Sequence, residues 1–118
     1  MMMLLTMIFF HIIDDYYLQG ILAQMKQKKF WEDNAPDEMY QYDYIWALIM
    51  HAFSWTFMIM LPIAFFYPTD FLFFAMFVFN IAIHAWTDNL KANRHEINLW
   101  QDQLIHMIQI VLTFIILV

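Results

Sequence analysis

From Tyr44 to Phe66 the chain runs for 23 residues without a formal charge, and only His51, Ser54, Thr56 and Pro62 break its apolar character. At about 1.5 Å per residue, a helix of that length crosses the roughly 30 Å of hydrocarbon in a bilayer. Three further stretches follow the same rule. Met1 to about Met25 is apolar apart from His11, Asp14, Asp15 and Gln19, and ends at the basic residues Lys26, Lys28 and Lys29; Phe71 to about Leu90 and about Ile97 to Val118 complete the set. The expected fold is therefore all-α: a polytopic membrane protein in which a single domain, residues 1–118, forms a bundle of four transmembrane helices at about 1–25, 44–66, 71–90 and 97–118. With 118 residues, 64% of them apolar and 14% charged, no length remains for a separate soluble domain.

The connections fix the expected orientation. Phe30 to Asp43 carries Glu32, Asp33, Pro36, Asp37, Glu38 and Asp43, and reads as a solvated loop at the membrane surface with Phe30 and Trp31 at the interface. Tyr67, Pro68, Thr69 and Asp70 make a tight connection. All five Lys and Arg fall in the first and third connections, so those loops are expected on the cytoplasmic side of an inner (cytoplasmic) membrane, with both termini non-cytoplasmic. No Lys or Arg precedes the first apolar run and no small-residue cleavage site follows it, so the run reads as a retained span rather than a secretory signal. The absence of cysteine excludes disulfides, thiolate metal sites and thiol nucleophiles. A net charge of −6 with five basic residues excludes nucleic acid as a partner; the lipid bilayer is the partner the composition demands. The eleven methionines and thirteen phenylalanines read as bundle filler and lipid-facing surface.

The chemistry lies in the polar residues within the spans. Each ionisable side chain there costs at least ~2.5 kcal/mol to insert, so such groups face the bundle interior and find partners. In the first span His11, Asp15 and Gln19 are spaced four apart, within a narrow stripe of an α-helix. Asn80, His84 and Asp88 repeat that spacing in the third span, with Lys91 near the same stripe; Asp102 and His106 repeat it in the fourth, with Gln103 adjacent. His51 is the one strongly polar group of the second span, with Ser54 a turn away. Counting ~1.5 Å per residue, all of these residues come to rest in the half of the bundle nearest the basic loops. The expectation is one polar cavity lined by His11, Asp15, His51, His84, Asp88, Asp102 and His106.

Imidazole and carboxylate without thiolate suit a divalent transition metal such as zinc, iron or manganese. Seven candidates exceed one tetrahedral shell, so either some orient the ligating groups, a role that also suits Gln19 and Gln103, or the cavity holds two ions. In a catalytic site, Asp15 or Asp102 would act as general base and Lys91 would meet an anionic group such as a phosphate. A lone histidine on an apolar helix is more often a hydrogen-bonded packing residue, and interhelical polar contacts do hold membrane bundles together. Three His/Asp pairs at one spacing and one depth favour a site. Asp14, about 100° from Asp15 around an α-helix, is expected to reach an edge instead; His95 and Glu96 belong to a solvated loop, and Pro62 to a kink near a helix end.

The strings HIIDDYYLQ (His11–Gln19), ALIMHAFSW (Ala47–Trp55), IHAWTDNLK (Ile83–Lys91) and DQLIH (Asp102–His106) resemble the small bacterial and phage membrane family catalogued as domain of unknown function 3307. The resemblance spans nearly the whole chain. It implies a four-helix membrane fold with no established activity, and it marks His11, Asp15, Gln19, His51, His84, Asp88, Lys91, Asp102, Gln103 and His106. The chain departs from the pattern at Asp14, where a small residue is expected. In residue types alone it is also similar, more distantly, to membrane-bound metal-dependent hydrolases. The resulting expectation is a metal-binding membrane protein, with hydrolysis of a phosphate-bearing or lipid-linked substrate as its reaction. Two rivals stand beside it: a proton or cation channel or transporter subunit using the same His/Asp chain, and a purely structural small membrane protein such as a phage accessory factor.

Overall fold

The computed structural model describes residues 1–118 and contains no strand. Its helices are α1 (Met2–Ile13), α2 (Leu22–Met25), α3 (Lys28–Asn34), α4 (Asp43–Phe66), α5 (Phe71–Ala92) and α6 (Leu99–Leu117). A π-helical turn, Asp14–Leu18, extends α1, and a 3₁₀ turn, Glu38–Tyr40, precedes α4. The long helices form a closed ring in which α4 packs against α1 and α5, and α6 against α5 and α1.

Three helical segments, Glu38–Phe66, Phe71–Ala92 and Leu99–Leu117, are long and apolar enough to cross a membrane. The first expected span differs. Instead of one helix over 1–25, α1 and its π-helical turn end at Leu18, the helix breaks at Gly20 with φ +55°, and α2 is a separate single turn. Glycine tolerates that left-handed geometry because it lacks a Cβ. The expected bundle of four spanning helices thus becomes three full-length apolar helices and a shorter, more polar fourth wall. The acidic connection also holds more structure than expected, because α3 lies within it.

Local chemistry explains the other boundaries. Asp70 accepts from the backbone N–H of Phe73 and caps α5. Asn98 and Gln101 form a reciprocal capping box at the start of α6, where Asn98 Oδ1 accepts from Gln101 N at 2.9 Å and Gln101 Oε1 accepts from Asn98 N at 3.0 Å. Pro62 lies inside α4, which continues to Phe66.

The interior divides into two halves. Met7, Trp55, Ile59, Met60, Ile63, Phe73, Met76 and Ile110 form an apolar core away from the basic connections. The other half is polar, and more than half of the 25 buried residues in the protein are polar or charged, while Phe53, Phe57, Phe74, Val78 and Ile115 face outward. An apolar exterior around a polar interior is the distribution expected when the surroundings are lipid.

Candidate metal centre

Each wall of the bundle brings its polar stripe to the same place. His51 on α4, His84 and Asp88 on α5, and Asp102 and His106 on α6 are all at most 1% exposed. From the first helix come His11, Asp14 and Asp15. The stripes drawn from residue spacing therefore converge, and every candidate ligand, namely His11, Asp15, His51, His84, Asp88, Asp102 and His106, lies in one buried cluster.

Three overlapping groups have ligand atoms close enough to share an ion: His84, Asp88 and His106; Asp15, His51 and His84; and His11, Asp15 and His106. The first is the one buried at all three residues. His84 Nε2 lies 3.5 Å from Asp88 Oδ2, and His106 Nε2 lies 3.6 Å from Asp88 Oδ1 and 3.7 Å from Asp102 Oδ1. These separations are too long for hydrogen bonds. Ligand atoms on a tetrahedral ion with bonds near 2.1 Å are about 3.4 Å apart, and each pair is near that spacing, with His84 and His106 approaching different oxygens of Asp88. Both ring nitrogens of His84, both of His106 and Asp102 Oδ1 are buried without a hydrogen-bond partner. The imidazole rings of His84 and His106 stack at 4.1 Å, and Trp55 covers the His84 ring at 4.2 Å.

His11 occupies a different chemical position. Trp55 Nε1 donates to His11 Nδ1 at 2.7 Å, and His11 Nε2 donates to Gln103 Oε1 at 3.0 Å. Gln103 in turn donates through its amide to Asp15 Oδ2 and Asp102 Oδ2, both at 3.0 Å. With each nitrogen committed, His11 fixes Gln103, and Gln103 holds two carboxylates in place. His51 Nε2 donates to Asp15 Oδ1 at 3.1 Å and lies 3.4 Å from Asp88 Oδ2.

Gln19 stands apart from the cluster. Its amide donates to the backbone carbonyl of Asp15 at 2.9 Å, so it secures the end of the π-helical turn rather than a carboxylate. Lys91 donates to Asp102 Oδ2 at 3.0 Å and is partly exposed.

No family model, curated protein or solved structure matches this chain. The centre is therefore read from its own residues.

Two of them escape the spacing argument. Asp14, expected at an edge, is fully buried; Ser54 donates to its Oδ1 at 2.5 Å, and its Oδ2 lies 3.7 Å from His51 Nδ1. The π-helical turn causes this, because its wider winding reduces the angle between successive side chains and lets both Asp14 and Asp15 face inward. Lys26, read with Lys28 and Lys29 as part of the basic first connection, is 5% exposed and donates to Asp88 Oδ2 at 2.8 Å. A charge count carried the signal for it. Buried carboxylates on three helices need nearby cations, and the sequence supplies only five Lys and Arg.

Proposed function

We propose that the protein is an integral membrane metal-binding protein holding a divalent transition ion, zinc, iron or manganese, on His84, Asp88 and His106. Asp102 lies beside His106, and Asp15 and His51 complete the immediate surroundings. One observation carries this reading: His84 and His106 are fully buried, and none of their four ring nitrogens has a hydrogen-bond partner. An unpaired buried polar atom costs about 1–3 kcal/mol, and an ion bonded to one nitrogen of each ring relieves two of the four.

The charges support a dication. With all four carboxylates ionised and the imidazoles neutral, Asp14, Asp15, Asp88 and Asp102 bring four negative charges, Lys26 and Lys91 return two, and the remaining two equal the charge of one such ion.

Within this proposal the reaction is hydrolysis of a phosphate-bearing or lipid-linked substrate. A bound ion supplies a Lewis acid that lowers the pKa of water. Asp102 or Asp15 accepts the proton, and Lys91 meets the anionic group. The basic connections and the cluster beneath them face the cytoplasm in this reading, and the four motif strings resemble those of the family catalogued as domain of unknown function 3307. A channel or transporter needs a polar path to the opposite face. Asn80, Gln109 and Thr113 extend the polar column past His84 and His106, but Met60, Ile63 and Phe73 follow in the apolar core, which favours a closed site.

Elemental analysis of detergent-purified protein tests the proposal. Wild type is expected to carry about one equivalent of metal, and His84→Ala to lose it while remaining folded. Metal-free wild type would end this reading.

A further inference from the structure

Beyond the ion, the cluster has a mouth. Gln19, Ala23, Lys26, Gln27, Lys91, Ala92 and His95 line an open cavity of about 350 Å³ at the end of the bundle that carries the basic connections. No acidic residue lines it. Two of its walls lead directly into the cluster, because Lys26 contacts Asp88 and Lys91 contacts Asp102.

The mouth is built rather than incidental. Asn93 donates to the backbone carbonyl of Lys26 at 2.9 Å and accepts from the backbone N–H of Lys28 at 2.6 Å, which ties the segment after α2 to the end of α5. His95 follows as the one non-glycine residue at positive φ, +54°, and Glu96 N donates to Leu90 O at 2.9 Å to close that turn. Each lysine ammonium has three N–H donors, and the protein supplies each with a single acceptor. Lys26, whose side chain is only 6% exposed, lines the cavity and carries its ammonium to Asp88. Gln19 Oε1 is buried without a donor and suits a hydroxyl on the ligand. Two cations with spare donors, an imidazole and one acceptor match a phosphate group with a protonated or hydroxyl-bearing oxygen.

We propose that this cavity binds the phosphate of an anionic ligand immediately outside the metal cluster, making a composite site of ion and anion pocket. The inference rests on the metal reading. Without an ion, the two surplus negative charges of the cluster oppose an incoming anion; a dication cancels them, so phosphate follows the metal. The phosphate could belong to a lipid headgroup or to a soluble molecule, and the test separates the two.

Full-length protein in detergent is loaded with Mn²⁺ or stripped with EDTA, and its metal content is measured on the same samples. The ³¹P resonance of inorganic phosphate is then recorded, and that of phosphatidic acid in bicelles. Saturable broadening is expected only with Mn²⁺-loaded protein, and about tenfold weaker binding in Lys91→Gln at unchanged metal content. Lys91→Arg is expected to restore it. If Lys91→Gln does not fold, His95→Ala on the exposed turn is expected to weaken binding in the same direction. Broadening of inorganic phosphate assigns a soluble source, and broadening of phosphatidic acid alone assigns a headgroup. Mn²⁺-loaded protein that broadens neither, or broadening that Lys91→Gln and His95→Ala both leave unchanged, overturns the anion pocket and leaves the metal reading standing. Protein that holds no Mn²⁺ overturns both.

Discussion

Because an indole can only donate, the contact from Trp55 Nε1 leaves His11 Nδ1 as an acceptor; the proton then resides on Nε2, where Gln103 Oε1 receives it. His11 thus acts through Gln103, which in turn aligns Asp15 and Asp102. Trp55→Phe separates this role from packing, since phenylalanine keeps a ring over His84 but removes the donor. The expected outcome is retained metal stoichiometry with affinity about 10–100-fold weaker, read by competition with a chelating dye. Unchanged affinity would show that the Trp55–His11–Gln103 chain has no part in holding the ion. Residue spacing could not distinguish His11 from His84 or His106. A four-residue repeat reports which face of a helix a side chain occupies, whereas the partner of each nitrogen depends on side chains from two other helices. Lys26 was hidden for a related reason, because its ion pair joins residues 62 positions apart.

At the level of elements, long uncharged runs made α4, α5 and α6 legible, and the tight turn at Tyr67–Asp70 followed from local residue chemistry, whereas the cap that Asp70 provides for α5 emerged only from the structure. The break in the first helix was not legible. It depends on a π-helical turn, where i to i+5 bonding admits an extra residue, and apolar periodicity contains no term for that. Deleting Tyr17, which is 77% exposed, should let the turn close to α-helix and swing Asp14 or Asp15 off the cluster. Helix content by circular dichroism should persist while metal affinity falls at least about tenfold. Retained affinity would mean that the π-helical turn is not what places the two carboxylates.

The polar ladder beyond the site calls for the opposite result. Asn80 donates to Thr113 at 2.8 Å and accepts from Gln109 at 3.0 Å, joining α5 to α6. Asn80→Leu should destabilise the protein by about 1 kcal/mol in detergent unfolding while leaving metal content unchanged. Loss of the ion would make the ladder part of the site.

For the whole molecule, the separation of apolar core from polar cluster turns ion binding into a stability term. The apolar half closes without help, since Met7, Trp55, Ile59 and Ile110 are fully buried together. The polar half brings four carboxylates from three helices around four buried imidazoles, with two lysines to offset them. Like charges there repel, and a cation bound among them would offset that repulsion. An ion that binds only the folded state stabilises it by about 2.7 kcal/mol when free metal exceeds Kd a hundredfold. Thermal unfolding of EDTA-treated protein should therefore start at a lower midpoint, rise as zinc or manganese is added, and level off near one equivalent. His84→Ala and His106→Ala should remove that rise, whereas Asn80→Leu should lower the starting midpoint and keep it. A midpoint indifferent to metal in the wild type would mean that the two surplus charges are neutralised by protons, and the His/Asp cluster would then be a proton-binding centre rather than a metal centre.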